Sequence, residues 1–177
     1  AWLVTDRWRP RSNPEWAVVG IGALFMIAGY HSFLFVGEQG TTSAAAAVIV
    51  SLSPVLTAGF ARGLLPSERL SVTGLIGLGL GFAGVVILAD PTLVNLFSGD
   101  TLPELLVFSA AASFALGSVL ARRFDADLPI ETMEAWSMIG GAIIMHGVSV
   151  GLREPVLDVQ WTPTGTAALL YLALAAT

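Results

Sequence analysis

Val72-Thr-Gly-Leu-Ile-Gly-Leu-Gly-Leu-Gly-Phe-Ala-Gly-Val-Val-Ile-Leu-Ala89 carries no charged side chain from end to end and is closed by Asp90-Pro91. At about 1.5 Å per residue, a helix of this length nearly crosses a hydrocarbon core about 30 Å thick. Working outward, comparable apolar runs lie at Trp16–Val36, Ala44–Leu65, Pro103–Ala121 and Met133–Leu152, and a partial one starts near Thr166. Backbone polar groups find no water in lipid, so such runs satisfy themselves as helices. The pattern predicts an all-α polytopic membrane protein, a transmembrane helix bundle. Helix punctuation agrees: Pro14 and Trp16 precede the first run, Ser71 is placed to cap the run at Val72, and Pro163 precedes the last.

Composition points the same way. Of 177 residues 55% are hydrophobic and 12% charged, where a soluble domain carries about 25% charged residues; mean hydropathy is +0.78. A net charge of -5 and a pI near 4.8 leave no basic surface to offset phosphate, which excludes nucleic acid as a partner. Cysteine is absent, so disulfides and thiolate metal sites are excluded. Two histidines without a carboxylate cluster do not make a metal site, and no phosphate-binding loop is present. No cofactor is expected, and coupling to an ion gradient, protons included, fits better than ATP hydrolysis.

All eight basic residues are arginines. Arg7, Arg9 and Arg11 precede the first run, Arg62 and Arg69 flank the connection from the second to the third, and Arg122 and Arg123 follow the fourth; only Arg153 falls on the opposite side. The positive-inside rule puts the first three groups in the cytoplasm of a cell bounded by its plasma membrane. The opposite loops carry Glu38, Asp90, Asp100, Glu104, Glu154 and Asp158. Ala1-Trp2-Leu3-Val4 reads as the last turn of an earlier span, and the run from Thr166 is too short to cross, so the chain is expected to be the middle of a longer protein.

A few residues interrupt this apolar pattern in ways that bear on function. Gly74, Gly77, Gly81 and Gly84 fall at helical spacing on one face, where small residues let a neighbouring backbone approach; close helix packing is the expected role, with a ligand contact as the alternative. Pro54 sits near the middle of its run and deprives the Val50 carbonyl of its helical partner. Ser51-Leu52-Ser53-Pro54 is therefore a candidate cavity wall, or a kink that a serine satisfies with no further role. His31 and His146 are ionisable groups deep in spans, roughly 20 Å from the cytoplasmic face by helical rise. Each either lines a path or carries a proton, or stays neutral in a hydrogen bond between helices. Tyr30, Ser113 and Tyr171 complete the candidate lining set of Tyr30, His31, Ser51, Ser53, Pro54, Ser113, His146 and Tyr171. Phe114 suits a pocket but suits aromatic packing better. Glu38, Gln39, Glu131 and Glu134 read as solvated helix ends, Glu68 as part of a turn and cap, and Trp16, Trp136 and Trp161 as an interfacial belt.

An intramembrane hydrolase would need a serine and a histidine at one depth. Ser118 lies near the inner face and His146 in the outer half, and nothing around Ser109 marks it as a nucleophile; no catalytic residue is assigned.

The stretch Ser51-Leu-Ser-Pro-Val-Leu-Thr-Ala-Gly-Phe-Ala-Arg-Gly-Leu-Leu-Pro-Ser-Glu-Arg-Leu-Ser71, with Gly74 to Leu88 after it, resembles the EamA-type transporters of the drug/metabolite transporter superfamily. Gly99-Asp100, Ala121-Arg122-Arg123 and Leu170 to Thr177 are similar too, so the likeness covers nearly the whole chain. Pro66 departs from the family's usual glycine. The resemblance implies a ten-helix fold of two inverted five-helix repeats, with residues 1–90 as the end of helix 2 and helices 3–5, and residues 91–177 as helices 6–7 and part of 8. It also implies a secondary carrier, more an exporter than an importer, of small organic metabolites or drugs by alternating access. A lipid bilayer is then the surrounding partner and a homodimer is compatible. A membrane assembly subunit without transport is the competing reading, and an intramembrane hydrolase a weaker one.

Overall fold

A computed structural model describes residues 5–65, 71–89, 101–124, 126–154 and 161–174. The readings of Ala1–Val4, Pro66, Glu68, Arg69, Asp90, Asp100 and Asp158 fall outside these residues. All regular structure among the described residues is helical: α1 (Asn13–Glu38), α2 (Ser43–Leu64), α3 (Val72–Ala89), α4 (Thr101–Arg123), α5 (Ile130–Gly151) and α6 (Pro163–Leu174). Each expected run falls within one of them to within a few residues. By length and composition α1, α2 and α4 are long and apolar enough to cross a membrane, and α3 carries a shorter apolar run.

Hydroxyl caps start α1, α2 and α3, the last of them at Ser71 as expected. The Ser12 hydroxyl accepts the Glu15 N–H at 3.4 Å, Thr42 accepts that of Ala45 at 3.2 Å, and Ser71 accepts that of Gly74 at 3.0 Å. Pro14 costs nothing in the first turn, whose N–H groups lack helical partners anyway.

The chain divides into two compact units, residues 1–145 and 146–177. In the first, α4 is the central helix and packs against α1 and α2. Val107, Ala110, Ala111, Ala115 and Val119 form its fully buried stripe. These are small side chains, as expected where helices associate by close approach rather than by escape from water. Gly37 shows how close: a Cβ there would lie 2.8 Å from the Pro103 carbonyl oxygen and from a Val107 methyl. A Cβ on Gly117 would lie 2.7 Å from that of Phe25, and one on Gly141 would run into Ile27. Gly77, Gly81 and Gly84 differ, since a Cβ at any of them meets open space. Among the described residues no helix is pressed against Gly77, Gly81 or Gly84.

Two helices depart from regular α geometry, for different reasons. The middle of α1, Gly22–Gly29, is π-helical, and the Tyr30 N–H reaches back to the Phe25 carbonyl. That oxygen also accepts the Ser113 hydroxyl of α4 at 2.8 Å, while Ser137 of α5 donates to the Val19 carbonyl at 3.2 Å. At Phe25 a side chain of a neighbouring helix thus uses the acceptor capacity that a widened helix exposes. In α2 the cause is Pro54. The helix breaks at Ser51–Leu52 between Ser43–Val50 and Ser53–Leu64, and the carbonyl of Val50 is satisfied by the Ser53 hydroxyl at 2.6 Å.

Polar contacts gather before α1. Glu15, buried despite its charge, accepts the Arg11 N–H at 2.6 Å and pairs with Arg7 at 2.8 Å. Arg7 also donates to the Asp127 carbonyl at 2.6 Å. Thr132 and Trp136 of α5 donate to the Arg7 and Trp8 carbonyls at 2.6 and 2.9 Å. The arginines read as markers of orientation include one that ties the segment before α1 to the loop between α4 and α5.

Candidate functional site

The break in α2 opens on a cavity of about 720 Å³ within the first unit. Val50, Ser51, Ser53 and Pro54 supply one wall, Tyr30 of α1 and Phe114 of α4 another, and Gly77, Leu78, Gly81 and Phe82 of α3 the third. Its volume is in the range of small-molecule sites, which are mostly apolar with a few placed polar groups. No charged side chain is among these lining residues.

Proline places the polar groups. Without an N–H at Pro54, the backbone turns away at Ser51–Leu52, and both serines fold back on their own helix. Ser51 donates to the Val48 carbonyl at 2.6 Å and Ser53 to that of Val50 at 2.6 Å. Each hydroxyl has one proton, so the oxygens keep only acceptor capacity for anything in the cavity. The two readings of this stretch, cavity wall and serine-satisfied kink, describe the same geometry. Opposite, Tyr30 and Phe114 meet edge to face with centroids 5.6 Å apart, an arrangement aromatic pairs favour.

The structure thus brings together Tyr30, Ser51, Ser53 and Pro54. Ser113 lies one residue from Phe114, but its hydroxyl is committed to Phe25. His31 borders the cavity through Tyr30, with ring centroids 5.0 Å apart, and stacks its edge against Phe35 at 5.6 Å. Its Nδ1 lies 2.8 Å from the Ile27 carbonyl oxygen; a carbonyl only accepts, so Nδ1 carries a proton. His146 and Tyr171 belong to the second unit, where both are exposed. Ser109 and Ser118 donate to the Leu105 and Ala115 carbonyls, each at 2.8 Å.

Sequence reasoning set Phe114 aside as packing and passed over Phe82 and Leu78. The signal was present: Gly77, Leu78, Gly81 and Phe82 recur at one helical turn, two small residues leaving room beside two large ones. A second cavity, of about 450 Å³, is lined by Val18, Met26, Ser118, Arg122, Leu128 and Met133 among others.

Comparison with known proteins gives this cavity its context. The chain is 29% identical to the uncharacterized transporter YyaM of Bacillus subtilis, over 80% of this chain and 46% of that protein. An uncharacterized transporter of Archaeoglobus fulgidus is 28% identical, over 98% of this chain and 60% of its own length. The aromatic amino acid exporter YddG of Ancylobacter novellus is 33% identical, over 73% of this chain and 44% of that protein. The chain spans about half the length of the curated relatives it matches. No solved structure matches it. The model of the EamA-like transporter family covers residues 1–89, which is half of the chain and includes α1, α2 and α3; with its helices and its relatives among transporters, this chain belongs to the EamA-like transporter family.

Proposed function

We propose that this chain is part of a secondary carrier that moves small organic metabolites or drugs across the plasma membrane, chiefly outward, by alternating access. The observation that carries the reading is the cavity at the Pro54 break, in a chain of a transporter family. Broken helices lining a cavity are how carriers expose backbone and hydroxyl groups at depth without exposing them to lipid. Tyr30, Ser51, Ser53 and Pro54 line the path; Ser113 holds the π-helical turn that positions Tyr30. His31 is the proton-carrying candidate in this unit and His146 the one in the other, where Tyr171 is a lining candidate.

In this reading residues 1–90 and 91–177 belong to two inverted five-helix halves of a ten-helix bundle. The loops bearing Arg7, Arg9, Arg11, Arg62, Arg69, Arg122 and Arg123 face the cytoplasm. Gly77 and Gly81 of the glycine face border the cavity, which supports the ligand-contact alternative for that face over close packing. The test is flux: full-length protein in proteoliposomes, loaded with candidate metabolites and given an imposed pH gradient, should release at least one of them faster than protein-free vesicles. Folded protein that releases none under any gradient removes the carrier reading and favours an assembly subunit.

A further inference from the structure

The lining atoms carry more information than cavity size. Two serines line the cavity, and both of their hydroxyl protons are spent: Ser51 on the Val48 carbonyl, Ser53 on the Val50 carbonyl, each at 2.6 Å. What remains toward a ligand is a pair of acceptor oxygens. The aromatic side chains of the lining are Tyr30, Phe82 and Phe114, whose ring faces are electron-rich, and no cationic side chain is among the described lining residues.

Resting on the reading of this cavity as the transport site, we infer that its ligand is an amine: an apolar or aromatic body carrying an ammonium group that donates to the Ser51 and Ser53 oxygens and lies against the aromatic wall. A carboxylate is the wrong partner. It needs donors or a positive charge, and the serine protons are already engaged. The Tyr30 hydroxyl is one neutral donor, too little to replace the hydration of an anion in an apolar cavity. An ammonium instead meets acceptors and ring faces, both of which favour positive charge.

The probes are phenethylamine and 3-phenylpropionate, which share a phenyl body and differ in charge, with 2-phenylethanol as the neutral control. Binding is measured by calorimetry on the full-length protein in detergent at neutral pH. The amine should bind at least about tenfold more tightly than the carboxylate. Phe114→Leu keeps apolar bulk and removes a ring face; it should weaken the amine about threefold or more and leave the alcohol unchanged. Phe82→Leu serves the same purpose if Phe114→Leu fails to fold. Equal or tighter binding of 3-phenylpropionate, no binding of either charged probe to folded protein, or an amine preference that survives both leucine variants overturns the proposal. The carrier reading stands or falls separately. Amine binding without flux removes the carrier and keeps the ligand class, whereas carboxylate flux without amine binding does the reverse.

Discussion

Pro54 and Ser53 show how one residue creates a polar demand and its neighbour meets it. Proline removes the N–H that would have bonded Val50, and the Ser53 hydroxyl replaces it at 2.6 Å. Ser53→Ala leaves that carbonyl without its donor, which should cost about 1–3 kcal/mol. Adding Pro54→Ala returns a backbone N–H to the position and should recover most of the loss. Unfolding of the single and double variants in detergent measures both; a double variant as unstable as Ser53→Ala alone would mean that the hydroxyl does not stand in for the missing N–H. Ser113 is a milder case. The Phe25 carbonyl keeps the Tyr30 N–H when the Ser113 hydroxyl is lost, so Ser113→Ala should cost only about 0.5–1.5 kcal/mol in the same measurement.

Glycines on two helices look alike in sequence and differ in what they do. On α4, Gly117 faces α1 with Phe25 and Met26 side-chain carbons 2.7 and 2.9 Å from where a Cβ would lie. Gly117→Val should therefore destabilise the helix packing by about 1–3 kcal/mol, read from the thermal transition in detergent. On α3, Gly81 borders the cavity and a Cβ there meets open space. Gly81→Leu should fill part of the cavity and suppress ligand binding while the transition temperature holds. A fall in stability equal to that of Gly117→Val would instead place a packed helix against this face. The π-helical turns of α1 belong to the same scale: Gly22 and Gly29 bring the widened segment against Ser137 and Ser113, where any Cβ would collide with a hydroxyl.

Across the first unit, polar ties add to helix packing in joining distant parts of the chain. Glu15 is buried with Arg7 and the Arg11 N–H as partners, whereas Asp127 is fully exposed at 3.1 Å from Arg7. Exposed pairs contribute little, and loss of a buried partner strands the other groups. Glu15→Ala should lower the melting temperature clearly more than Asp127→Ala, and added salt should shrink the Asp127 effect further. Equal shifts would show that the two pairs are screened alike. Orientation is tested on the whole protein in a cysteine-free background. Phe124→Cys, beside Arg122 and Arg123, should react with an impermeant thiol reagent only from the cytoplasm, and Leu152→Cys, beside Arg153, only from outside. The reverse pattern would invert the topology.

Fold class was legible in the residues themselves, because lipid imposes one demand on every span: enough apolar length, with backbone polar groups satisfied within the helix. Val72–Ala89, the cap at Ser71 and the break at Pro54 are local features, and each appears where the sequence put it. The π-helical centre of α1 was not legible, since Gly22–Gly29 widens in company with Ser113 and Ser137, contributed by helices far along the chain. Three of the lining residues, Ser51, Ser53 and Pro54, could be read from one stretch. Phe82 and Phe114 could not, because an aromatic residue on an apolar helix reads as packing until the helix opposite is seen to stand back. The burial of Glu15 beneath Arg7 was equally hidden. Composition and period decide that helices form and where they stop; which faces close on one another, and which leave a space, depends on contacts between residues that the sequence holds far apart.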